Sequence, residues 1–402
     1  MRSELTVLEG CLKQGAGILP MNPGPRALAA PNRLLRHALG VFLAVIGVCG
    51  RPAGAESMVF PGAAWDEAAP ESQGVDSARL QAAADYLREH SGSNGVQRLV
   101  IIRNGRLIWK GPEIDRRQRV WSVTKAFTST ANGLLIEDGK CTLDTLAKDY
   151  APYLAEYYPT VTLRHFATMT SGFDGVGGSY DFDDQHRGDE NALVAPRPPF
   201  FAPGTKYQYW DEATQQYGYV LTQIAGEPLH NLLRRRIFDP IGMGQTDWQP
   251  DVTGKVPNWT GGLVICAADL ARFGHLFLNH GNWAGKQLIS AKWVRAATSV
   301  QVPNSIPDAL PNSTRRGSGV YGYHWWPNGI RPNGRRRWPD VPADMYARSG
   351  YNNNYLFVIP AWHMVIVRLG LDGEEHAITT AEQNEFLKRV GAARLDPVPE
   401  QE

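Results

Sequence analysis

Two hairpin patterns lie toward opposite ends of this 402-residue chain, and any fold it adopts has to bring their strands into register. Val96 to Arg103 and Arg106 to Lys110 are rich in β-branched and apolar residues. They flank Asn104-Gly105, a dipeptide that accepts the positive φ angles of a two-residue turn. Asn354 to Ile359 and His363 to Leu369 form a second pair around Pro360-Ala361. The stretch between them is helical and loop-rich, with helical spacing in Ser122 to Glu137, Leu163 to Met169, Gln215 to Ile224, His230 to Ile237, Ala268 to Leu278 and Ser290 to Ala297. Ser77 to His90 and Thr380 to Val390 add a helix near each end, the first carrying Leu80, Ala83, Ala84 and Leu87 on one side. This order predicts an α+β (mixed α/β) fold, with an antiparallel sheet built from both termini, flanked by helices and holding an inserted, mostly helical lobe. The expected sheet lobe covers about 57–121 and 340–395 and the helical lobe about 122–339, leaving a ligand cleft between them.

The first 55 residues read differently. Arg26, Arg33 and Arg36 precede an apolar run from Ala38 to Val48, and Ala53-Gly54-Ala55 follows. A basic region, a short hydrophobic region and a small-residue site form the pattern of an export signal cut near Ala55, which predicts a periplasmic or secreted protein. The run is too short to span a bilayer, so no stable membrane span is expected in the mature chain, residues 56–402. Cleavage removes Cys11 and Cys49 and leaves Cys141 and Cys266, which two buried thiols explain more simply than a disulfide.

Charge narrows the partners. With 41 basic and 40 acidic residues the net charge is +1, and there is no basic stripe or Gly-rich phosphate loop, so nucleic acid is not expected. The acidic run Asp181 to Glu190 lacks the ordered spacing of a calcium loop and reads as a solvated turn. No metal site and no cofactor is expected. Tyr321, Tyr323, Trp325 and Trp326, within the long segment from Arg315 to Arg337, either wall a pocket or pack the core.

Chemistry concentrates at Ser122-Val123-Thr124-Lys125, where a helical pattern begins. Residues three apart share a helix face, so this hydroxyl and this amine can act on one proton. Serine needs such a neighbour to become a nucleophile. No Gly-x-Ser-x-Gly elbow and no His-Glu-x-x-His occurs, which sets aside the usual Ser-His-Asp and zinc hydrolase patterns. A proton shuttle and an oxyanion hole are still required. Tyr209-Trp210-Asp211, after the Pro203-Gly204 turn, and Arg348-Ser349-Gly350-Tyr351, before the last strand pair, are the segments able to supply them.

These segments, with Val161 to Gly172, Ile224 to Leu229, Phe238 to Met243 and Gly261-Gly262-Leu263 in the same order, resemble the serine β-lactamase-like superfamily, in the branch of class C β-lactamases, family VIII esterases and 6-aminohexanoate-dimer hydrolases. The resemblance implies that Ser122 is the acyl-accepting nucleophile and that Lys125 and Tyr209 move its proton. It also implies that the backbone N–H groups of Ser122 and Tyr351 form the oxyanion hole, and that Arg348, Ser349 and Gly350 stand where class C enzymes have Lys-Thr-Gly. Asp211 departs from the family's Asn: an ionised carboxylate accepts but does not donate, and it favours a charged Lys125, which makes Tyr209 the better base. Arg348 departs from Lys and is read either as a binder of a substrate carboxylate or as part of a structural ion pair. The expected partner is a small ester, amide or peptide cleaved through an acyl-enzyme, with esterase or amidase activity ahead of efficient β-lactamase activity. A D-amino-acid peptidase and a non-catalytic penicillin-binding protein of the same fold are the alternatives.

Overall fold

The structure, a computed structural model, describes residues 58–92, 94–175, 196–250, 256–373 and 375–395. The leader pattern and the acidic run Asp181 to Glu190 lie outside the described residues. Six strands carry the framework: β1 Leu99–Arg103, β2 Arg106–Lys110, β3 Trp326–Pro327, β4 Tyr346–Gly350, β5 Asn354–Ile359 and β6 Met364–Arg368. They form one antiparallel sheet in the order β3-β4-β5-β6-β1-β2. The two sequence hairpins therefore meet in the middle, where Ile101 of β1 faces Ile366 of β6. The β1–β2 turn takes the form its dipeptide suggests, with φ of 52° at Asn104 and 81° at Gly105.

The central strands are apolar at nearly every position because both faces are covered. Val100, Ile102, Leu356, Val358, Val365 and Val367 belong to one core cluster, together with Leu270, Phe273 and Phe277 of the helix Ala267–Leu278. The alternate residues Leu99, Ile101, Phe357, Ile359, Met364 and Ile366 belong to a second cluster with Leu80 and Leu87 of α1 (Ser77–Glu89) and Phe386, Leu387 and Val390 of the helix Thr380–Ala392. The period-two alternation of a strand thus splits one apolar run between two cores. Both terminal helices start on an N-cap, Asp76 accepting from Arg79 N and Thr379 forming a capping box with Glu382.

The sheet takes in more than the two ends. Trp326–Pro327 pairs with Ala347 and Tyr346, so an edge strand comes from the segment assigned to the helical lobe. Proline is tolerated there because an edge strand can spare the ladder N–H that it lacks. The helix expected over Gln215 to Ile224 begins four residues earlier, spanning Asp211–Ala225, with Asp211 and Glu212 in its first turn where the helix dipole favours carboxylates. The helix expected to reach Met169 stops at Ala167, and Met169 turns the chain with φ of 58°. Cys141 and Cys266 are free and buried. Among the described residues no helix is long and apolar enough to cross a membrane.

Gly105 is where the fold depends on the absence of a side chain, since its φ is left-handed and the Val59 carbonyl sits where a Cβ would go. Gly105→Ala is expected to lose at least roughly 1–2 kcal/mol of stability from the backbone conformation alone. A thermal melt reads this, and an unchanged Tm would show that the turn is not under that constraint.

Candidate active site

Ser122 lies in a short 3₁₀ turn, Trp121–Val123, that leads directly into α2 (Thr124–Glu137). Trp121 holds a left-handed φ of 51°, uncommon for a bulky residue and a local cost of the kind found at working sites. The end of β4 presses on this turn. A Cβ at Gly350 would stand 3.1 Å from Ser122 N and 3.2 Å from Val123 N, and closer still to the Val120 carbonyl. Only glycine lets the strand reach the N–H groups beside the serine. Tyr351 follows it, half exposed, with its ring edge-on to Trp121 at 5.2 Å.

One turn into the helix, the Lys125 side chain is fully buried. Its ammonium donates to Ser122 Oγ at 2.9 Å and to the Thr260 carbonyl at 3.1 Å, and pairs with Asp211 Oδ1 at 2.6 Å. Three donors meet three acceptors. The Thr260 carbonyl is positioned by Asn258, whose Oδ1 accepts from Thr260 N, Thr260 Oγ1 and Gly261 N. Asp211 is positioned by its place in the first turn of the helix Asp211–Ala225.

Tyr209 precedes that helix on an extended segment. Tyr207 bonds on both sides of its peptide to Pro307 and Ala309, and Gln208 N donates to the Met169 carbonyl. The Tyr209 ring stacks on Trp326 at 5.9 Å, and its hydroxyl accepts from Arg348 Nη2 at 2.9 Å. Arg348 is buried, and its Nε donates to the Ser122 carbonyl at 2.7 Å. Burial works to raise the Tyr209 phenol, but the Arg348, Lys125 and Arg315 cations outweigh it against opposition from Asp211 and bring it below its ordinary value. The phenol of Tyr321, also buried and without enough cationic help, is raised. Of the tyrosines in this cluster, Tyr209 is the one tuned toward phenolate.

Ser122, Tyr209, Ser349, Gly350 and Tyr351 open onto a cleft of about 240 Å³, together with Arg315, Trp326, Arg337, Asn352, Asn353 and Tyr355. The arrangement can present a serine hydroxyl to a small carbonyl compound, with a cation on one side of it and an ionisable phenol nearby. The Beta-lactamase family pattern matches residues 80–374, most of the chain and all of these residues. This chain belongs to the Beta-lactamase family. Penicillin-binding protein 4 of Amycolatopsis lactamdurans is 25% identical over 318 residues, covering 69% of this chain and 78% of its own. A penicillin-binding protein homolog from Caulobacter crescentus superimposes with a TM-score of 0.61 at 17% identity, over 80% of this chain and 99% of that one. A beta-lactamase/D-alanine carboxypeptidase from Yersinia pestis does so with 0.58 at 20%, over 78% and 99%. At these identities the two structures speak for the shared fold.

The β-lactamase-like site gathers every residue singled out from sequence, and Arg348 takes up an internal bridging position in it. It is not part of the cleft lining; its Nε and Nη2 bond to a carbonyl and a phenol, and among the described residues no acidic side chain pairs with it. Thr260, Asn258, Arg315 and Arg337 were not foreseen. A Gly-Gly motif at Gly261 marked the neighbourhood of the first two, and the arginine-rich loop marked the last two, but neither pattern says which side chain turns inward. Among the described residues no group of three His, Cys, Asp or Glu could hold a metal.

Because Arg348 counteracts burial at Tyr209, Arg348→Met is expected to move the Tyr209 titration to higher pH. If the phenolate is the base, the alkaline-rising limb of kcat/KM for a p-nitrophenyl ester shifts upward in pH by about a unit or more. A limb that stays in place in a folded variant rules out Tyr209 as the group it reports.

Proposed function

We propose that this protein is a serine hydrolase that cleaves an ester or amide bond of a small molecule through an acyl-enzyme on Ser122. The observation that carries this reading is the Ser122 hydroxyl receiving a hydrogen bond from a buried, ion-paired Lys125 while Tyr209 is held by Arg348. Tyr209, as phenolate, takes the Ser122 proton as Oγ attacks the carbonyl carbon. Lys125, held between Asp211 and Ser122 Oγ, stabilises the developing alkoxide. The carbonyl oxygen, now negative, accepts from the N–H groups of Ser122 and Tyr351. Collapse breaks the bond to the leaving group, which takes the proton from Tyr209. Water then attacks the acyl-enzyme, giving its proton to Tyr209, and Ser122 Oγ leaves with that proton.

Esterase or amidase activity ranks ahead of β-lactamase activity because Asp211 is ion-paired with Lys125 and, as a carboxylate, has no N–H to offer an acylamino carbonyl. A D-amino-acid peptidase uses the same steps on a different leaving group. Incubation with a fluorophosphonate is expected to add mass at Ser122 in the wild type and none in Ser122→Ala. p-Nitrophenyl esters should turn over well ahead of nitrocefin. Absence of the adduct in folded protein sinks the acyl-enzyme reading and favours a non-catalytic binding protein.

We also propose that the chain is exported to the periplasm or secreted, on the strength of the basic and apolar pattern before Ala55. Expressed in full in a bacterium, it should be recovered outside the cytoplasm with an amino terminus at Glu56. An intact leader on cytoplasmic protein contradicts this.

A further inference from the structure

Among the described residues Arg337 has no acidic partner. It lines the same cleft as Ser122, its guanidinium lying 4.3 Å from the Trp326 ring centroid and 4.7 Å from that of Trp338. The two indoles hold the stem and the planar head in place. The side chain is half-buried, with its Nε and Nη1 enclosed and making no hydrogen bond. Burial first, and the nearby Arg331 second, push its guanidinium down to about 9. A second cleft arginine, Arg315, is exposed, lies 5.3 Å from the Tyr209 ring and likewise has no acidic partner among the described residues. A buried charge normally finds a counter-charge, because leaving it unpaired is strongly unfavourable. Here the enclosed donors border a cleft, so the missing partner is one that arrives from solvent.

We propose that Arg337, with Arg315, forms a carboxylate-binding subsite that selects substrates carrying an anionic group remote from the bond being cut. The inference deepens the serine hydrolase reading and rests on it for the word substrate. The planar fork of N–H groups matches a carboxylate, and the flanking rings fix its orientation before a ligand enters. The site differs from the one expected at Arg348, whose Nε and Nη2 bond within the protein and which does not line the cleft.

The test compares mono-p-nitrophenyl glutarate, which is anionic, with p-nitrophenyl butyrate, a neutral ester of similar reach. Wild type should favour the glutarate, and Arg337→Gln should cut the ratio of the two kcat/KM values at least about tenfold, chiefly through KM of the glutarate. Arg337→Lys, which keeps the charge and much of the stem packing, should recover part of the ratio. Both variants are checked by thermal melt, since a purely structural arginine lowers Tm and both ester rates together and leaves the ratio unchanged, which overturns the proposal. Glutarate itself should quench the fluorescence of the flanking tryptophans in wild type and much less in Arg337→Gln. That binding measurement needs no turnover. If neither ester reacts and Ser122 takes no label, the hydrolase reading fails while the subsite is still decided by glutarate binding. Equal quenching in both proteins, or none in wild type, rejects it.

Discussion

An ammonium removed from water must have every proton answered, and at Lys125 the three answers come from three distant parts of the chain. Ser122 lies one turn away, Asp211 opens another helix, and Thr260 ends a loop organised by Asn258. Losing any one leaves a buried donor or charge unpaired, at a cost large against the stability of an ordinary domain. The same contact that satisfies the cation also orients the Ser122 hydroxyl. Packing and chemistry therefore impose one requirement on these residues, and the site is as rigid as the core beneath it.

Arg348 performs the matching task from the sheet. Its guanidinium joins the carbonyl of Ser122 to the hydroxyl of Tyr209, so the edge of β4 sets both the turn and the phenol. Replacing the family's lysine by arginine exchanges a compact charge for a rigid fork that reaches two partners at once. Paired with the change at Asp211, this shifts the balance of acid–base work. The carboxylate sits against Lys125, and the arginine brings Tyr209 toward phenolate. The two departures from the family pattern are physically one adjustment.

Much of this was legible in the residues. Asn104-Gly105 announced a hairpin, the β-rich runs at both ends announced one antiparallel sheet, and the three-residue spacing of Ser122 and Lys125 placed both on one face. Local patterns of that kind survive folding because they are set by dihedral preference and periodicity. What escaped was decided by tertiary contact. Nothing near Trp121 signals its left-handed backbone, which is imposed by Gly261 and Gly350 packing from either side. Likewise, among the arginines from Arg315 to Arg337, the choice of which one enters between Trp326 and Trp338 belongs to the loop's path rather than to its composition.

The joining of β1 to β6 has a bearing on when the protein becomes itself. The strands that abut there come from opposite ends of the chain, and Ser122 is synthesised long before the β4 edge that presses on it. A nascent chain therefore holds its serine, lysine and tyrosine without the framework that brings them together. Contacts of such long sequence separation also form slowly. The site's geometry is complete only once the last strands dock, so its assembly is among the late events of folding.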